Sequence, residues 1–146
     1  MIQRIQTIYL FLAAMLAGMY LYTPLLVFEM GQNSQLLRAW ELKYFYEGYF
    51  IFVLAIGAGI SIGASLVAVL LFKKPSIQKA FSWLSIVGML FCFFYALYKW
   101  HYVDYIEDSI FYYGNITPWV VIILNLLAIK GIGNDQKLLR SYDRLR

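Results

Sequence analysis

Four long apolar runs divide the chain, and short polar stretches separate them. A helix needs about 20 mostly apolar residues to cross the hydrocarbon core of a bilayer. The runs over 5–28, 48–72, 80–99 and 116–133 meet or approach that length. The pattern predicts an all-α membrane protein, a four-transmembrane-helix bundle forming one domain over 1–146, with a short tail over 134–146. The first run could be mistaken for a cleaved signal peptide. It is longer than an h-region of about 7–15 residues, and no clean small-x-small site follows, so it is expected to stay as a span.

Composition agrees with a lipid environment. Hydrophobic residues make up 62% of the 146 positions and charged residues 14%. Soluble domains carry about a quarter charged residues, and a chain this short cannot hide so much apolar surface by folding alone. The single cysteine, Cys92, lies in an apolar run and cannot form an internal disulfide. The net charge of +4 matters less than its placement. Arg4, Lys73, Lys74, Lys79, Lys130, Lys137, Arg140, Arg144 and Arg146 fall on one side of the expected membrane, and Arg38, Lys43 and Lys99 on the other. Basic loops stay inside. Both termini are therefore expected in the cytoplasm, and no nucleic-acid partner is expected.

The second span reads "AIGAGISIGAS". Ala55, Gly59 and Gly63 recur every four residues, and Gly57, Ser61 and Ser65 do so on a nearby face. Small residues at this spacing let helix backbones approach closely. The contact they serve lies either within the bundle or with another subunit. Near the span centres there is no Asp, Glu, Lys, Arg or His, the residue types that ion pathways and proton relays use. This argues against a pump. Asn125 is the conspicuous polar side chain deep in a span and is expected to hydrogen-bond between helices.

Two outward loops remain. In "WELKYFYE", Trp40, Leu42, Tyr44 and Tyr46 alternate with Glu41, Lys43, Phe45 and Glu47, which suggests a strand. "YIEDSIFYYG" holds β-formers such as Ile110, Phe111, Tyr112 and Tyr113. A small periplasmic cap with short β-strands from both loops is expected, with a helical start to the second loop. Tyr98, Trp100, Tyr102, Tyr105, Tyr112, Tyr113 and Trp119 suit an interfacial belt; a partner surface is the other use for them. His101, Asp104 and Asp108 share a helical face. One histidine without a second ligand cluster or a nucleophile reads as a solvated acidic rim, so no metal site, catalytic residue or cofactor is expected.

The two ends carry a resemblance. "MIQRIQTIYLFLAA" opens the chain and "LLRSYDRLR" closes it. The pair resembles an uncharacterised family of small four-span membrane proteins from Bacteroidota, domain of unknown function 4293. The resemblance covers essentially the whole chain in length and span layout. It departs at Tyr142, where the family often carries a small residue. It implies a multi-pass protein of the bacterial inner membrane and implies no activity. It also makes Asp108-Ser109-Ile110 look like a periplasmic O-glycosylation triplet, with Ser109 as acceptor.

The tail "NDQKLLRSYDRLR" is patterned as well as basic. Gly131 and Gly133 are expected to end the fourth span, and Asn134 or Asp135 to cap a new helix. Leu138, Tyr142 and Leu145 then share one face, with Lys137, Arg140 and Arg144 elsewhere. Such a segment, closing with Arg146, can lie on membrane lipids or dock on a protein. Gln3, Arg4 and Gln6 lie on the same membrane side, so the ends are expected to meet there. The leading expectation is a non-catalytic accessory or assembly subunit of a larger inner-membrane complex, in secretion, translocation or envelope biogenesis. The alternative is a binder or carrier of a small apolar ligand, such as a lipid or quinone, in a pocket lined by aromatics and Asn125.

Overall fold

Pro75 and Pro118 stand in the first turns of two long helices, where a missing N–H and a fixed φ cost nothing. They help set the boundaries of a bundle seen in a computed structural model, which describes residues 5–30, 33–38, 49–102, 109–111 and 113–144. The helices are α1 (Ile5–Tyr20), α2 (Tyr49–Leu70), α3 (Pro75–Tyr102) and α4 (Thr117–Arg144), the last preceded by a 3-10 turn over Tyr113–Ile116. Each helix packs on the next, and α4 closes the ring against α1. The turn between α2 and α3 is tight, with Lys74 N–H donating to the Leu71 carbonyl at 2.9 Å.

Three of the helical stretches, Phe52–Leu70, Pro75–Tyr98 and Gly114–Leu138, are long and apolar enough to cross a membrane. The packing is that of a membrane protein. Ala13, Ala17, Ala58, Ala64, Ala68, Ala128, Ser61, Ser65, Ser82, Ser85 and Asn125 are buried inside. Phe11, Met15, Phe52, Ile56, Trp83, Phe91, Phe94 and Ile123 point out. Bulky apolar groups cover much of the outside, while the inside combines small and polar residues with a core of Leu10, Tyr20, Leu54, Met89, Val121 and Ile132. A water-facing surface of that kind would be one extended apolar patch.

The first apolar run is not helical throughout. α1 stops at Tyr20, where Thr23 Oγ1 donates to the Tyr20 carbonyl at 2.8 Å. Pro24 has no N–H to continue the ladder, and it biases Thr23 away from helical backbone. Residues 24–28, expected in the span, belong instead to strand β1 (Pro24–Met30). It pairs antiparallel with β2 (Asn33–Arg38) and with β3 (Ser109–Phe111), giving the order β2-β1-β3. Val27 stands opposite Leu36 on one side and Ile110 on the other. The sheet thus draws on both loops at the end of the bundle away from the α2–α3 turn. The alternating segment Trp40–Glu47 lies outside the described residues, as do Asp104, Tyr105, Asp108 and Tyr112.

The other boundary corrections concern α3 and α4. α3 begins at Pro75, several residues before the expected start, so Lys79 is helical. α4 runs unbroken through Gly131 and Gly133 to Arg144. The expected helix end there, and the separate capped tail helix, are absent. A glycine terminates a helix by turning to positive φ, and neither glycine does so. Each instead seats a neighbour. A Cβ on Gly131 would lie 2.7 Å from Cγ of Gln6, and one on Gly133 3.5 Å from Nζ of Lys79. At 28 residues α4 is about 42 Å long, roughly 12 Å more than the hydrocarbon core.

Candidate functional site

Close packing brings the N-terminal end of α1, the α2–α3 turn and the second half of α4 together. Gln6 is buried and its Nε2 donates to Oδ2 of Asp135. Lys79 Nζ donates to Oε1 of Gln136 at 2.6 Å. These two bonds tie α4 to α1 and to α3, one turn beyond the glycines that let those side chains in. Between them is a cavity of about 150 Å³, lined by Gln6, Phe72, Lys73, Pro75, Ile132, Asp135 and Gln136. Lys73 Nζ lies 5.9 Å from the centroid of the Phe72 ring. That distance is within cation–π range.

The expected docking residues distribute around this end. Lys137 and Leu138 are exposed on α4. Arg140, Tyr142 and Arg144 belong to the same helix, with side chains outside the described set, while Arg4, Leu145 and Arg146 lie outside the described residues altogether. Because α4 is continuous, the tail leaves the bundle as an extension of a span.

The two small-residue faces of α2 have separate uses. Gly57 crosses Gly88 of α3 so closely that a Cβ on Gly88 would lie 2.8 Å from the Gly57 carbonyl oxygen. Ser61 and Ser65 Oγ each lie 2.8 Å from Ser85 Oγ. Asn125 Nδ2 donates to Ser85 Oγ at 3.2 Å and to the Val121 carbonyl at 2.9 Å. A neutral polar seam therefore joins α2, α3 and α4 at full burial. By contrast, Gly59 and Gly63 face outward, and a Cβ at either would meet nothing within 4 Å among the described residues. Ala55, in register with them, is half-buried.

Ser85 is the centre of the seam. Ser85→Ala removes the partner of two serines and one amide at once. The expected cost is about 1–2 kcal/mol, the upper part of what buried hydrogen bonds contribute between membrane helices. Thermal unfolding in detergent measures it. An unchanged midpoint would mean that packing alone holds these helices. Asn125, expected to pack helices or to line a ligand pocket, has its amide nitrogen committed to this seam.

Other expected features occupy peripheral positions. His101 is exposed in the last turn of α3. Ser109 opens β3 opposite Phe28. Tyr98 and Trp119 are exposed, and Trp119 packs edge-on against Phe93 with ring centroids 5.0 Å apart. What the sequence did not reveal is the Gln6–Asp135 and Lys79–Gln136 pairing. A glutamine in the first turn of one apolar run and a glycine pair near the end of another are its only signals.

No characterised protein and no solved structure compared with the chain matches it. One family model does match, over residues 2–145, and its description is Domain of unknown function (DUF4293). With nearly every residue covered from α1 to the end of α4, this membrane protein belongs to that family.

Proposed function

We propose that this protein is a non-catalytic accessory or assembly subunit of a larger bacterial inner-membrane complex. In this reading it is a four-span bundle with both ends in the cytoplasm. The observation that carries the reading is the outer face of α2. Of two small-residue faces, one is consumed against α3, while Gly59 and Gly63 stay open on the surface of the bundle. Glycines spaced by four on an outer face allow a further helix to approach closely.

Three features support it. At 28 residues α4 is longer than one crossing needs, and its end is tied at Asp135 and Gln136, which suits docking on a protein of fixed shape. α1 has 16 helical residues, fewer than a full crossing needs, yet it packs between α2 and α4 and shares their surroundings. That position favours counting it as the fourth span. The excess of basic residues on the side of Gln6, the α2–α3 turn and the end of α4 favours the cytoplasm for that side.

The test is a gentle detergent pull-down of the tagged full chain beside one lacking Leu138–Arg146. The expected result is a defined set of membrane proteins with the full chain and loss of that set with the truncation. Recovery of the protein alone in both would remove the subunit reading.

A further inference from the structure

α1 and α2 are level at the α2–α3 turn and uneven at the sheet. Gln6 of α1 and Phe72, just past α2, line one cavity, so the two helices reach that end together. Further along, a Cβ on Gly18 of α1 would lie 3.8 Å from Cδ1 of Ile62 on α2. α1 then stops at Tyr20. α2 continues past that level through Ile60 and Ile56 to Phe52, all three exposed. Ile60 to Phe52 is about 12 Å at the helical rise. The exposed apolar band is therefore short on α1, about 21 Å from Ile5 to Met19. It is about 27 Å on α2, from Phe52 to Leu70, and about 31 Å on α3, from Ile77 to Tyr98. The hydrocarbon core of a bilayer is about 30 Å thick.

The segment after α1 does not make up the difference. The chain passes from Tyr20 through a turn into the sheet β2-β1-β3. β1 packs on the 3-10 turn that precedes α4. An open sheet has edges whose N–H and C=O groups need water, so it does not sit in hydrocarbon. Beside α1 the hydrocarbon must therefore end near Tyr20. Beside α2 the same leaflet meets apolar surface as far as Phe52.

The side chains of α1 decide what covers it. Ile5, Ile8, Phe11, Leu12, Met15 and Met19 are exposed, while Ala13, Ala14 and Ala17 are buried. The alanines are used inside the bundle, and the outer face is bulky. Close approach of another helix favours small residues, whereas acyl chains accept a bulky apolar wall. A short apolar segment in lipid is accommodated by thinning of the bilayer. We propose that the outer face of α1 is a lipid-facing surface that thins the bilayer. The leaflet on the sheet's side is drawn inward there by about 10 Å relative to its level on α2. This rests on the reading of α1 as a fourth span.

The test places a nitroxide at one exposed position per variant. Met19→Cys and Ile60→Cys lie at one height, beside the contact of Gly18 with Ile62. Ile8→Cys and Leu70→Cys lie at another, beside the shared cluster of Leu10 and Ala68. Cys92 is buried, and wild type treated alike reports any label on it. The labelled full chains are reconstituted in dioleoylphosphatidylcholine vesicles, where collisions with oxygen and with a nickel chelate give each depth. The Met19 label is expected about 10 Å shallower than the Ile60 label, with Ile8 and Leu70 equally deep. Met15→Cys and Gly63→Cys, one turn lower, repeat the comparison if a variant fails to fold. Equal depth of Met19 and Ile60 overturns the proposal. A bundle tilted in a flat bilayer also overturns it, and brings Met19 nearer one surface while taking Ile8 farther from the other. A Met19 label that meets neither probe is covered by protein, which overturns lipid as the occupant. Nickel at both Met19 and Ile8, as in water, removes the fourth span together with the proposal. None of these outcomes depends on whether partners co-purify.

Discussion

Gly88→Ala is expected to destabilise the bundle by about 1–3 kcal/mol, the usual cost of forcing one extra carbon into a close-packed core. The new Cβ would stand 2.8 Å from the Gly57 carbonyl oxygen and 3.2 Å from the Ser61 backbone nitrogen. Both are backbone atoms of α2, so no side chain can rotate away. The two helices must part, and the seam from Ser85 to Ser61 and Ser65 lengthens with them. Gly57→Ala attacks the same crossing from the other side, where its Cβ meets Cys92 Sγ at 2.5 Å and, less closely, the Gly88 carbonyl oxygen at 3.2 Å. That thiol, which donates to the Leu54 carbonyl at 3.5 Å, can give way more easily than a backbone. The expected order of thermal midpoints in detergent is wild type, then Gly57→Ala, then Gly88→Ala. Equal midpoints for wild type and Gly88→Ala would show that α2 and α3 do not cross at these glycines.

The helices were legible in the sequence because their signal is thermodynamic and coarse. A run of apolar residues long enough to cross lipid reads the same whatever it packs against. The ends of the helices are set by local chemistry, and there the coarse signal fails. "PLLVF" after Thr23 continues an apolar run, and periodicity cannot separate a short buried strand from a helix. Pro24 is the local signal that the helix ends before this segment. Gly131 and Gly133 looked like helix stops because glycine serves that purpose often. They serve close approach instead, and the side chains that need the room, Gln6 and Lys79, come from elements far away in sequence. Long-range pairs such as Gln6 with Asp135 are invisible to local pattern. The α2 faces show the same limit in another form. Spacing identified Ala55, Gly59 and Gly63 as well as Gly57, Ser61 and Ser65, but only packing tells which face is occupied. Serine on the occupied face is a usable clue, since a hydroxyl facing lipid lacks a partner outside its own helix.

Gly59→Leu with Gly63→Leu is expected to leave the isolated protein as stable as wild type, within about 0.5 kcal/mol, as surface changes usually do. A Cβ at either position meets no described atom within 4 Å beyond its own helix, so the new side chains start from open space. The same double variant is expected to lower recovery of co-purifying membrane proteins by roughly tenfold, since an inserted side chain at a close helix crossing costs about 1–3 kcal/mol of contact. The alanine variants at these positions should fall between, because a methyl group separates backbones less than a leucine does. The contrast with Gly88 gives this prediction its force. Gly88→Ala loses stability whether or not a partner exists, whereas changes at Gly59 and Gly63 lose only what a partner contributes. Thermal midpoint and partner recovery should therefore separate the two faces of one helix. If the double leucine variant keeps its full set of partners, the outer face of α2 touches lipid alone. Any docking would then fall to the end of α4, where Lys137 and Leu138 stand exposed beyond the Asp135 and Gln136 ties.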